Sequence, residues 1–132
     1  MNIYCDGGSR GNPGPAASGA VLVNDAGEVV EVAQEYLGTA TNNVAEYHAV
    51  ILGLGLMRKH ELTSMEFLLD SQLVVRQLNG QYRVKHPDMK VQFDKVQRLL
   101  HGLDVRFRHI PRAENHLSDT AVNQCLDAHS TK

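Results

Sequence analysis

Four acidic residues, Asp6, Glu46, Asp70 and Asp119, fall at the boundaries of predicted elements, far apart in the chain. Asp6 and Asp70 each close a short strand-like run. Glu46 falls in the first turn of a long helical pattern, and Asp119 near the start of the last one. If the two strands are parallel neighbours, both aspartates project from one sheet edge, where α/β proteins commonly place their sites. Positive helix ends favour the other two carboxylates. Oxygen ligands without histidine or cysteine suit hard cations, magnesium or manganese, better than zinc. Without a cation, such a cluster repels itself and raises at least one carboxyl pKa. Each acid alone has an ordinary explanation: Asp6 as a turn residue before two glycines, Asp70 as a helix cap, Glu46 and Asp119 as first-turn helix acids.

The elements that must carry these acids can be read from periodicity. Residues 2–6 alternate, with Ile3 and Cys5 on one face and Tyr4 and Asp6 on the other. A loop from Gly7 to Pro15 follows, then strands at 18–24 and 28–37 joined by Asn24-Asp25-Ala26-Gly27, a hairpin signal. Thr41-Asn42-Asn43 supplies helix-capping side chains. Ala45, Ala49, Leu52 and Leu56 then form one apolar stripe, with Gly53 and Gly55 permitting close packing on the sheet. Residues 65–69 read as a buried strand and 71–79 as a short helix closed by Gly80. A further helix opens at His86-Pro87-Asp88, with Met89, Phe93, Val96, Leu99 and Leu100 apolar on one side. Residues 105–110 alternate as a strand, and about 116–128 form a helix with Ala121, Val122 and Cys125 inward. The order βββαβααβα predicts an α/β fold: a mixed five-stranded sheet, three strands antiparallel and two parallel, flanked by helices.

The local contexts of the four acids resemble the ribonuclease H family, type 1. Asp6-Gly7-Gly8-Ser9-Arg10-Gly11-Asn12-Pro13-Gly14-Pro15 is similar to that family's first-strand motif, and Thr41-Asn42-Asn43-Val44-Ala45-Glu46 to its second. Asp70-Ser71-Gln72 matches the third, and Asp119 within Asn115-His116-Leu117-Ser118-Asp119-Thr120-Ala121 fits the fourth. The motifs span the whole chain, so the resemblance implies one ribonuclease H-like catalytic domain over 1–132. It also implies an endonuclease that hydrolyses the RNA strand of RNA–DNA hybrids to 5′-phosphate and 3′-hydroxyl ends. In that reading Asp6, Glu46, Asp70 and Asp119 are the catalytic and metal-holding residues. Two magnesium ions, with manganese a possible substitute, would stabilise charge on the attacking and departing oxygens. Glu114 and His116 are both candidates for a general acid or supporting role, and the sequence does not choose between them.

Hybrid recognition needs groups that sense a 2′-hydroxyl on one strand and deoxyribose on the other. By resemblance, Gly7, Gly8, Ser9, Arg10, Gly11 and Asn12 bring backbone close to sugars, because glycine interposes no Cβ. Asn12 and Gln72 add minor-groove bonds, and Thr41, Asn42 and Asn43 contact the DNA strand. The alternative for Asn42 and Asn43 is helix capping alone, and for the loop a tight hairpin turn. Many relatives carry a basic, tryptophan-containing protrusion after the third motif; this chain has no Trp and only Gln81-Tyr82-Arg83-Val84-Lys85-His86 there. Phosphate contacts then fall to Arg76, Arg83, Lys85 and Lys90, with affinity that weakens in salt. The absence leaves open whether double-stranded RNA is also a substrate.

The net charge argues weakly against a nucleic-acid partner, but the total hides an imbalance. Residues 1–70 hold three basic side chains against nine acids, while residues 71–132 hold ten against six, within a net charge of −2. An acidic metal centre beside a basic phosphate-binding surface is one meaning of this asymmetry; a solvated helical face is the other. No apolar run is long enough to cross a bilayer and the amino terminus is not a signal peptide, so no membrane is implied. Cys5 and Cys125 read as small buried apolar residues of a reducing, cytoplasmic compartment, and no obligate protein partner is implied. Two competing functions remain: a DNA strand-transfer or junction nuclease on the same scaffold, and a non-catalytic hybrid-binding module. The first usually needs extra DNA-binding segments, and the second gains nothing from carboxylates facing phosphates.

Overall fold

The computed structural model describes residues 1–130. Its chain order is β1 (Asn2–Ser9), β2 (Gly14–Val23), β3 (Val29–Ala40), α1 (Asn42–Lys59), β4 (Ser64–Leu69), α2 (Gln72–Leu78), α3 (Pro87–Leu99), β5 (Asp104–His109) and α4 (His116–Ala128). One 3-10 turn, Arg112–Glu114, precedes α4. The five strands form one sheet in the order β3-β2-β1-β4-β5. β1 pairs antiparallel with β2, and β2 with β3; β4 runs parallel to both β1 and β5. This is the mixed sheet that the element order predicts.

Strand alternation assigns the helices to opposite faces. Ile3 and Cys5 face α1, where the Cys5 thiol lies 3.6 Å from the Ala49 carbonyl. Gly8, Ala17 and Gly19 face α4, and Ala17 packs with Val122, Cys125 and Leu126. The larger core lies on the α1 side, around fully buried Tyr47, Phe67, Leu54 and Met57. α3 covers α1 from outside through buried Met89 and Val96. α1 is therefore buried nearly all round, with Tyr47, Val50 and Leu54 inward as well as Ala45 and Ala49, where a single stripe is expected from the sequence.

The edges of several elements differ from expectation. β1 continues through Gly7 and Gly8 to Ser9, and β2 begins at Gly14, four residues before the predicted 18, so the predicted Gly7–Pro15 loop shrinks to residues 10–13. Glycine is a weak strand former alone. Here pairing of Gly7 with Ser18 and Gly8 with Ala17 overrides that preference. Asp6 accordingly lies inside β1 rather than at its end. Glu46 is the fifth residue of α1, and no acid occupies that helix's first turn. Asp119 does sit in the first turn of α4. Of the two glycines expected to permit close packing, only Gly53 does so: a Cβ there would stand 2.6 Å from Phe67 Cε2, whereas Gly55 has nothing within 4 Å.

Candidate active site

The parallel pairing of β1 with β4 ends at the partners Cys5 and Leu69, so the next residue of each strand, Asp6 and Asp70, emerges at the same level of the sheet. Ser71, not Asp70, caps α2: its hydroxyl accepts from Val74 N at 3.3 Å. Asp70 is thereby left to the site. Thr41 likewise caps α1, accepting from Val44 N at 3.3 Å, so Glu46 one turn further on is not needed as a cap. The helix turns Glu46 inward until the Gly7 N–H donates to its Oε1 at 2.8 Å. Only glycine allows that approach, because a Cβ at position 7 would lie 2.1 Å from the Ala45 carbonyl carbon.

The result is a convergence of three carboxylates. Asp6, Glu46 and Asp70 each offer an oxygen, and these oxygens all lie within 4.8 Å of one another. Asp6 and Glu46 are 7% and 5% exposed. Burial pushes the Asp6 carboxyl up to about 7; the adjoining Glu46 carboxyl opposes this, and the charges of Asp70 and Asp119 add to it. Burial also raises the Glu46 carboxyl well above the usual range, with Asp6 next in effect. Glu46 Oε2 is buried without any hydrogen-bond partner. An unpartnered buried carboxylate oxygen is costly unless something outside the protein completes it. Clustered hard oxygen donors around that orphan fit a divalent cation.

Asp119 stands outside the tight trio yet lines the same cleft, of about 380 Å³. Its charge adds to the upward shift of the Asp6 carboxyl. Arg112 lies 3.6 Å from Asp119, and Asn123 Nδ2 donates to the same carboxylate at 3.4 Å. The four predicted acids are thus brought to one place.

The predicted substrate residues divide. Gly7, Gly8, Ser9, Arg10, Asn42 and Asn43 line the cleft. Asn42 Oδ1 accepts from Ser9 N at 2.7 Å, and Asn12 Oδ1 accepts from Asn42 N at 3.1 Å, so these side chains tie the loop to the start of α1. Gly11, Asn12, Thr41 and Gln72 are not in the cleft wall, and neither are Glu114 and His116, which are exposed. Sequence reasoning overlooked Arg112, Ser71 and Asn123 in the wall, and Asn115 behind it, fully buried with its amide on Asp70. Arg112 and Asn123 flank Asp119 at −7 and +4, but ordinary surface residues have the same look. No sequence signal separates Asn115 from a simple helix cap.

The two thiols, Cys5 and Cys125, are free and buried, as expected. No helix among the described residues is long and apolar enough to cross a membrane.

Comparison with known proteins agrees with the geometry. The family model described as reverse transcriptase-like matches residues 4–125. The bifunctional protein Rv2228c of Mycobacterium tuberculosis is 42% identical over 128 residues, covering 96% of this chain and 35% of that protein. Ribonuclease HI of Halobacterium salinarum is 41% identical over 128 residues, covering 96% of this chain and 64% of the relative. This chain therefore spans about a third and just under two thirds of those two proteins. The crystal structure of RNase H1 from Halobacterium salinarum superposes with a TM-score of 0.92 at 41% identity, covering 96% and 97% of the two chains. LC11-RNase H1, solved in complex with RNA/DNA hybrid, does so with a TM-score of 0.91 at 39% identity, covering 96% of each. Only residues 79–86 link α2 to α3, where a basic protrusion would stand. With a family model covering nearly its whole length and a matching fold, this chain belongs to the reverse transcriptase-like family, as a type 1 ribonuclease H domain of the short form.

Proposed function

We propose that this chain is an endonuclease that hydrolyses the RNA strand of RNA–DNA hybrids, leaving 5′-phosphate and 3′-hydroxyl ends. The observation that carries this reading is the meeting of Asp6, Glu46 and Asp70 within 4.8 Å around a Glu46 oxygen that has no protein partner. Asp6, Glu46 and Asp70, with Asp119 beside them, would hold two divalent cations, magnesium in the working state and manganese as a substitute. Bound there, the cations supply charge stabilisation for the attacking and departing oxygens of a phosphodiester. The chain's own residues do the rest. Gly7 N–H fixes the Glu46 carboxylate, and burial keeps Asp6 and Glu46 out of bulk water. The extended backbone of Gly7 to Ser9 gives a rim that sugars can approach, with Asn42, bonded to Ser9 N, and Asn43 beside it. Arg112, 81% exposed, offers a positive charge at the mouth.

The solved complex of LC11-RNase H1 with RNA/DNA hybrid supports the substrate assignment. Free buried thiols support action in the reducing cytoplasm. The test is to incubate labelled hybrid, duplex RNA and duplex DNA with magnesium or manganese, alongside an Asp70→Asn variant. The expected result is scission of RNA in the hybrid, reduced more than about 100-fold in the variant. Hybrid binding without scission in wild type would make the chain a binding module, and scission of duplex DNA would place it among strand-transfer nucleases. Either outcome ends the proposal.

A further inference from the structure

Asn115 occupies the N-cap position of α4, where an asparagine normally accepts a backbone N–H of the first turn. It makes no such bond. Its side chain is buried completely and turned the other way. Nδ2 donates to the Cys5 carbonyl at 2.8 Å and to Asp70 Oδ2 at 3.1 Å. The Ser118 hydroxyl lies 2.6 Å from Asn115 Oδ1 and 3.1 Å from the Asn115 carbonyl. Two acceptors face the nitrogen and a hydroxyl donor faces the oxygen. Flipping the amide would set its oxygen against two other oxygens, so the orientation is determined by the network.

Asp70 itself follows the last residue of β4 and precedes the α2 cap. It is only half-buried, and among the described residues the Asn115 amide is the one group that bonds its carboxylate. We propose that Asn115 is a positioning residue: its amide holds one oxygen of Asp70 at a set angle, so that the other is presented to the divalent cation shared with Asp6 and Glu46. The bond to Cys5, the residue before Asp6, ties the same amide to the backbone that carries Asp6, so a single side chain registers two ligands from two strands. This rests on the reading of the site as a cation-dependent nuclease. It adds a residue that touches neither substrate nor cation. Partners of this kind set the rotation of a ligand before the ion arrives, and losing one typically weakens metal binding 10- to 100-fold.

The test compares wild type with Asn115→Ala, and with Ser118→Ala, which keeps the amide but frees its oxygen. Each protein is titrated with magnesium or manganese while its melting temperature is followed, and hybrid cleavage is measured across the same metal range. For Asn115→Ala the metal concentration giving half the thermal shift should rise about 10-fold or more. kcat should fall at fixed magnesium and recover partly at high magnesium, with KM for hybrid unchanged. Ser118→Ala should move the midpoint the same way by a few-fold, and it decides the matter if Asn115→Ala does not fold. A merely structural role would lower the melting temperature in chelator and leave the metal midpoint unmoved; that result overturns the proposal. A wild-type protein that neither responds to the metals nor cuts hybrid would instead overturn the reading of the site.

Discussion

Replacing Asp6 with asparagine keeps the shape of the side chain and removes its charge, which makes the cost of burying that charge among other carboxylates measurable. The Asp6 carboxyl titrates at about 7 in the folded, metal-free protein, against about 4 in an unfolded chain. A carboxyl with a raised native pKa binds its proton more tightly when folded. Its contribution is therefore neutral below about pH 4, turns against the fold as pH rises, and reaches its full penalty above about pH 7. Linkage gives a penalty of about 2 kcal/mol at pH 5.5 and about 4 kcal/mol at pH 8. The stability of Asp6→Asn relative to wild type should then improve by about 2 kcal/mol between those two pH values, or roughly 6 °C in melting temperature for a chain of this size. The assay is urea or thermal unfolding in chelator at both pH values for both proteins, which cancels the histidines they share. Magnesium at pH 8 should stabilise wild type by about 2.7 kcal/mol when present at 100 times its dissociation constant, and the variant much less. A constant difference between wild type and variant across pH would refute the argument that burial and neighbouring carboxylates raise this group. So would a wild-type melting temperature indifferent to magnesium.

Other consequences follow from the same geometry. Gly7→Ala places a Cβ 2.1 Å from the Ala45 carbonyl carbon, in backbone that cannot yield, and should cost more than about 3 kcal/mol in urea unfolding and abolish cleavage. Gly53→Ala and Gly55→Ala, two residues apart in α1, should have opposite signs. The first meets Phe67 and Ile3 and should lose about 1–3 kcal/mol, while the second meets nothing and should gain about 0.5–1 kcal/mol from helix propensity, both read from unfolding midpoints. Arg83 lines a groove of about 430 Å³ with Tyr82 and Lys90, beyond the cleft. Arg83→Ala and Lys85→Ala should each lower the salt slope of hybrid binding by about 1, with magnesium held fixed and cleavage blocked by Asp70→Asn.

What could be read early and what could not divide along physical lines. The strand and helix order was legible because alternation and helical period are local, and the hairpin at residues 24–27 because Gly27, at φ 81°, is where only glycine is comfortable. The four acids were legible as candidates because they stand at the ends of strand-like runs and the starts of helical ones, and because the motifs around them resemble those of the ribonuclease H family. Element ends were less legible. Gly7 and Gly8 look like a loop until β2 is there to pair with them, and the all-round burial of α1 depends on α3 covering its outer side.

The sequence by itself determined which residues carry acid, amide and hydroxyl groups, and the local patterns that place them on strands, helices and caps. Only the tertiary structure decided how the caps are shared out: Ser71 and Thr41 take the helix ends, which frees Asp70 and Glu46 for the cleft, while Asn115 leaves its own helix uncapped to hold Asp70. The reason is that a capping residue and a positioning residue have the same chemistry. Which acceptor a donor finds depends on distances across the sheet, and those exist only after the chain has closed on itself.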